Sequence, residues 1–84
     1  MSIKEEMLVK DLVQKMVEAL VDNPDLIEIA EITSQQSIII ELKVAKEDLG
    51  KVIGKQGRNA QALRTIISAA SKKIKKHAVL EIIE

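Results

Sequence analysis

The sequence predicts a two-layer α+β domain of order α-β-β-α-α-β, a three-stranded sheet with its helices on one face. Three observations predict it. Apolar residues recur at helical spacing towards both ends of the chain, over about residues 3–22 and 58–75. Two Ile-rich segments with interleaved charge flank the polar tetrapeptide Ser34-Gln35-Gln36-Ser37, the form of a β-hairpin. All three glycines, Gly50, Gly54 and Gly57, fall in one short stretch, where the backbone has to bend or be approached closely.

The first helix is expected over residues 3–22. Ser2 with Glu5 three residues on has the form of a capping box. Leu8, Val9, Leu12, Val13, Met16, Val17 and Leu20 make one apolar stripe, and Asn23-Pro24 ends the helix, because proline cannot continue the hydrogen-bond ladder. Residues 26–33 read as a strand whose imperfect alternation suggests a bulge. Residues 38–44 are the clearest strand. Ile38, Ile40, Leu42 and Val44 share the inner face, while Ile39, Glu41 and Lys43 face water. Residues 46–53 fit a short helix with Glu47 and Asp48 in its first turn, where the helix dipole favours acids. The second long helix, residues 58–75, buries Leu63, Ile66, Ile67, Ala70 and Ile74, and its closing lysines, Lys72 and Lys73, complement the dipole. Residues 78–83 alternate as the last strand, with Ala78, Leu80 and Ile82 inward. His77 stands at the junction as a surface residue. No linker, repeat or low-complexity segment interrupts residues 1–84, which are expected to make one domain.

The chemistry-bearing stretch is Val52-Ile53-Gly54-Lys55-Gln56-Gly57-Arg58. It reads as helix, G-x-x-G turn, helix. Gly54 and Gly57 are expected to leave their N–H groups bare while the following helix aims its positive dipole end at the turn. Lys55 and Arg58 add full charges at the rim. That combination suits a sugar–phosphate backbone. Four letters alone fit a plain corner between packed helices better than a binding loop, so the rest of the chain has to weigh in.

Composition excludes much. With 46% hydrophobic residues among 84, the chain can build a core, but it holds no Phe, Tyr or Trp. The core is therefore aliphatic, and nucleic-acid readers that depend on aromatic stacking platforms are disfavoured. No Cys and a single His exclude thiolate zinc sites and His-rich metal sites, and no cofactor is expected. The absence of disulfides fits a reducing cytoplasm. The longest apolar runs are three residues, so no membrane span is present. Thirteen basic and thirteen acidic residues cancel, yet residues 1–42 carry −6 (three basic, nine acidic) and residues 43–84 carry +6 (ten basic, four acidic). A neutral protein can in this way turn one attractive face to a polyanion, unless its two halves pair with each other.

The element order with its G-x-x-G resembles the type II KH domain. The stretch from Val44 to Arg58, with Ala62-Leu63-Arg64, Val21-Asp22-Asn23-Pro24 and Leu80-Glu81-Ile82, is similar to the KhpA family of small bacterial single-domain KH proteins. Lys46 stands where that family commonly opens the short helix with proline, a convenience rather than a requirement. The resemblance implies a cytoplasmic, non-catalytic protein that binds single-stranded RNA, clamping about four nucleotides beside the loop. It implies that Gly54 and Gly57 admit the RNA backbone and that Lys55 and Gln56 stand at phosphates. Arg58 would reach a phosphate or base edge, and Ile53 and Ala60 would floor an apolar groove. Arg64, two turns on, is a weaker candidate. It further implies an RNA chaperone or post-transcriptional regulator tied to cell shape and division, acting as a homodimer or with a larger KH-containing partner. The alternative is an interaction or dimerisation module whose groove contributes little RNA affinity. An enzyme is disfavoured. Gly50 and Gly54 are one residue too close for a nucleotide-binding P-loop, and Gln56 stands where Ser or Thr must reach magnesium.

Overall fold

The computed structural model describes residues 2–84, with side chains described from Val9 onward. The Ser2–Glu5 capping box and the place of Leu8 in the stripe lie outside the described side chains. Helix α1 runs Ser2–Glu18. Val9, Val13 and Val17, four residues apart, are buried, with Leu12, Met16 and Leu20 half-buried beside them. The helix stops four residues short of expectation. Leu20 and Val21 both donate their N–H to the Val17 carbonyl, and Asn23, kept out of the helical region ahead of Pro24, leads away.

Pro24 opens a single 3-10 turn, Pro24–Leu26, so strand β1 begins at Glu28 rather than residue 26 and runs Glu28–Thr33. It pairs antiparallel with β2, Ser37–Lys43, in continuous register from Glu28 opposite Lys43 to Thr33 opposite Ile38, so the expected bulge is absent. Ser34 closes the hairpin: its N–H donates to the Ser37 carbonyl at 2.8 Å and its Oγ accepts the Ser37 N–H at 3.1 Å. Strand β3, His77–Ile82, lies parallel on the other side of β2, giving the order β1-β2-β3. A parallel neighbour needs a crossover, and residues 44–76 supply it.

That crossover positions the candidate site. After Val44 and Ala45 comes a 3-10 turn, Lys46–Asp48, then α2, Leu49–Ile53. A second 3-10 turn, Lys55–Gly57, leads into α3, Arg58–Lys73. Helix α3 ends two residues before expectation because Lys75 adopts a left-handed φ of 58°. Lys75 then donates its N–H to Lys72 and Lys76 to Ser71, a Schellman closure. The aliphatic core forms between sheet and helices: Val9, Val13 and Val17 meet Ile38, Ile40, Leu42, Val52, Leu63, Ile67 and Leu80. Ile66, expected inside, is 44% exposed. The open face of the sheet carries the cross-strand row Ile32, Ile39 and Val79.

Candidate functional site

Two short glycine-bounded segments build the site. Val52 is wholly buried in α2 and anchors it, while Ile53 beside it is half-buried. At Gly54 the chain leaves the helix with φ 78° and ψ 171°, a conformation that glycine alone adopts without strain. Gln56 and Gly57 follow in left-handed conformations, φ 59° and 73°. The left-handed Gln56 brings its carboxamide within reach of α3, and Arg58 donates to Gln56 Oε1 at 3.1 Å.

The expected pattern of bare donors needs correction. Gly54 donates its N–H to the Gly50 carbonyl at 2.8 Å, and Gly57 donates to Gly54 at 3.0 Å. Both glycine amides are used inside the protein. Among the described residues no backbone acceptor meets the N–H of Lys55 or of Gln56, the residue that itself turns left-handed. The positive end of α3 opens at Gly57, whose cap is not filled by a side chain.

Lys55, Gln56 and Arg58 are exposed around this corner. Lys55, Arg58 and Arg64 make no ion pair among the described residues. The structure therefore brings Ile53, Gly54, Lys55, Gln56, Gly57 and Arg58 together. It sets the other two apart. Ala60 is only 5% exposed, so it offers almost no surface and acts chiefly as a close-packing residue. Arg64 is exposed, but it lies about 9 Å along the helix and about 120° around it from Arg58. It lines shallow hollows with Ile67, Ser68 and Val79 on one side and Gln61, Thr65 and Lys72 on the other.

Three features were missed in the sequence. Asp48, taken there as a dipole-complementing acid, is wholly buried. It accepts the N–H of Asp22 at 3.2 Å, the N–H of Asn23 at 2.9 Å and the Asn23 side-chain amide at 3.1 Å. Burial pushes its carboxyl up. The Asn23 side chain, the two backbone donors and the Lys51 charge outweigh that and hold it below the ordinary carboxylate value. Lys51 reaches both Asp22, at 3.0 Å, and Asp48, at 3.6 Å; the Asp22 hydrogen bond and charge raise its pKa above the ordinary lysine value. Second, Asn59 donates from its side chain to the Lys51 carbonyl at 2.8 Å, across the loop. An Asn in the first turn after Gly57 belongs to the residue class that bonds free backbone groups, which was the available signal. Third, a cavity of about 510 Å3 lies at the start of α2, lined by Lys43, Val44, Lys46, Leu49, Ile83 and Glu84. Leu49 is one helical turn from Ile53, so the cavity lies along the same side of α2 as that residue.

Among the described residues no helix is long and apolar enough to cross a membrane. The family model described as KhpA/KhpB, KH domain, matches residues 10–82. Curated relatives named RNA-binding protein KhpA are similar over most of the chain's length. The protein from Caldanaerobacter subterraneus subsp. tengcongensis is 63% identical over 73 residues, covering 87% of this chain and 97% of its own. That from Clostridium acetobutylicum is 57% identical, covering 88% and 99%. That from Aquifex aeolicus is 52% identical, covering 89% and 95%. No solved structure matches the chain significantly.

Proposed function

The chain belongs to the KhpA/KhpB KH-domain family, and on that premise we propose that it binds single-stranded RNA without catalysis, at the glycine loop between α2 and α3. The observation that carries the reading is the corner itself. Unmatched backbone donors, an uncapped helix start and the exposed Lys55, Gln56 and Arg58 converge on one solvent-facing turn. A phosphodiester takes donors and positive charge together, and backbone donors read no sequence. Ile53, and beyond it the cavity by Leu49, would receive bases on an aliphatic surface. The relatives are named for RNA binding, not for a reaction, and this supports the reading.

The same reading extends to a single-domain cytoplasmic protein acting on RNA after transcription, as a chaperone or regulator, with itself or a larger KH-containing chain as partner. The family resemblance supports that extension. A second reading, a docking module with little RNA affinity, is favoured by the row of exposed Ile32, half-buried Ile39 and exposed Val79, which lies on the sheet face away from the helices.

Fluorescent single-stranded RNA titrated into wild type and a Lys55→Asp/Gln56→Asp variant at two salt concentrations tests the proposal. The variant is expected to keep its circular dichroism spectrum and lose binding. Equal binding by both proteins would remove the loop as the site. Binding by neither would favour the docking module.

A further inference from the structure

We infer that Asn59 is a positioning residue for the loop: its side-chain amide ties α3 to the last turn of α2 and fixes the distance the glycine loop spans. The bond runs from Asn59 Nδ2 to the Lys51 carbonyl at 2.8 Å, eight residues back along the chain. A main-chain carbonyl only accepts, so the amide nitrogen is the end that must face it. Helix α2 has five residues and cannot hold its own axis. Its C-terminal carbonyls need outside donors, and Asn59 supplies one.

At Gly54 the loop lies directly against Asn59, main chain and side chain together. A Cβ on Gly54 would lie 2.6 Å from Asn59 Cγ and 2.8 Å from both Asn59 Cβ and the Asn59 main-chain nitrogen. Gly54 is therefore bare for two reasons, its φ of 78° and the room it leaves for Asn59. At Gly57, by contrast, nothing lies within 4 Å of the same position. Lys51, whose carbonyl receives the bond, is itself held. Its Nζ pairs with Asp22 and Asp48, and Asp48 is fixed by Asp22 and Asn23. A continuous series of contacts thus runs from the α1–β1 turn through Asp48 and Lys51 to Asn59 and the start of α3. Lys55, Gln56 and Arg58 sit on the span that this series braces at both ends.

The consequence for binding rests on the RNA reading above, and a preorganised loop loses less conformational freedom when a ligand orders it. The loop-holding role does not rest on that reading, and the experiment separates the two. Amide hydrogen exchange is measured by NMR on the RNA-free full chain, in wild type, Asn59→Ala and Asn59→Asp. Asp keeps the size, removes the donor and places an acid in the first turn of α3, which that helix favours. It therefore does not harm the fold through α3. The Gly54 and Gly57 amides are expected to exchange about tenfold faster in both variants, while Ile40 in the central strand keeps its rate. Unchanged exchange at both glycines in both variants would overturn the inference. In the RNA arm, Asn59→Ala is expected to weaken binding about tenfold with its salt slope intact, because no phosphate-paired charge is lost. An unchanged affinity alongside faster loop exchange would overturn the binding half. Absence of binding even by wild type would count against the RNA reading, leaving the exchange result to decide the role of Asn59.

Discussion

Each of the three glycines answers to a different physical demand, and substitution by alanine separates them. Gly54 has both a left-handed backbone and Asn59 against it, so Gly54→Ala is expected to cost roughly 2–3 kcal/mol. Gly57 is left-handed in open space, so Gly57→Ala should cost roughly 1–2 kcal/mol. Gly50 lies inside α2 with nothing near its missing Cβ, so Gly50→Ala should stabilise by roughly 0.5–1 kcal/mol. Urea midpoints of the three variants check the order. A Gly50→Ala variant less stable than wild type would show that α2 is strained. From the sequence the three glycines were legible as a cluster but not as three roles. Role depends on which side chain approaches each one, and that neighbour is set by the folded loop. Asn59 was overlooked for the same reason, since its acceptor is a backbone atom that no side-chain pattern reveals.

At the scale of elements, α2 is the dependent one. Its five residues are held at one end by Asn59 and at the other by Asp48, which reaches back 25 and 26 residues to Asn23 and Asp22. Because the folded-state pKa of Asp48 is depressed, its stabilisation is present in full above the unfolded carboxylate value and is lost as pH falls through the lower folded value. Thermal melting between pH 7 and pH 2 should show wild type losing stability as pH falls below the usual carboxylate range. Asp48→Asn should start lower and show a flatter decline. Parallel curves would mean that other carboxylates govern the acid limb. Lys51 has the opposite sign: its raised pKa adds stability that fades only as pH climbs past the ordinary lysine value of 10.5. The order of elements was legible because long periodic stripes such as Val9, Val13 and Val17 leave little choice. Helix ends were less so. Helix α1 stops at Glu18, after which Leu20 and Val21 share the Val17 carbonyl, and α3 stops where Lys75 turns left-handed.

Across the whole molecule, the −6 and +6 halves are not simply paired away. An ion pair joins them at Lys51 and Asp22, while Lys55, Arg58 and Arg64 remain unpaired among the described residues. The positive half therefore keeps a face for a polyanion, and its affinity should fall with salt by about 0.7 in log–log slope per phosphate neutralised. Arg58→Ala is expected to make that slope shallower by about one such unit, measured over a salt series. An identical slope would mean that Arg58 touches no phosphate. Charge segregation was visible in the chain from the start. Its fate was not, because neutralisation depends on which segments fold against each other.

The braced loop also bears on how such a site can be moved or changed. A segment carrying only Leu49–Ile53 and the turn after it would transfer the glycines and the basic side chains into another protein, yet not the geometry. Asn59 lies beyond that segment, and the partners of Asp48 lie on the far side of a hairpin. The self-consistent unit spans residues 22–59, and β1 and β2 within it need α1 and β3 to cover them. The loop is thus not a graftable cassette. Variation in what it recognises can come cheaply only at its rim, at Lys55, Gln56 and Arg58, where side chains change without disturbing the frame.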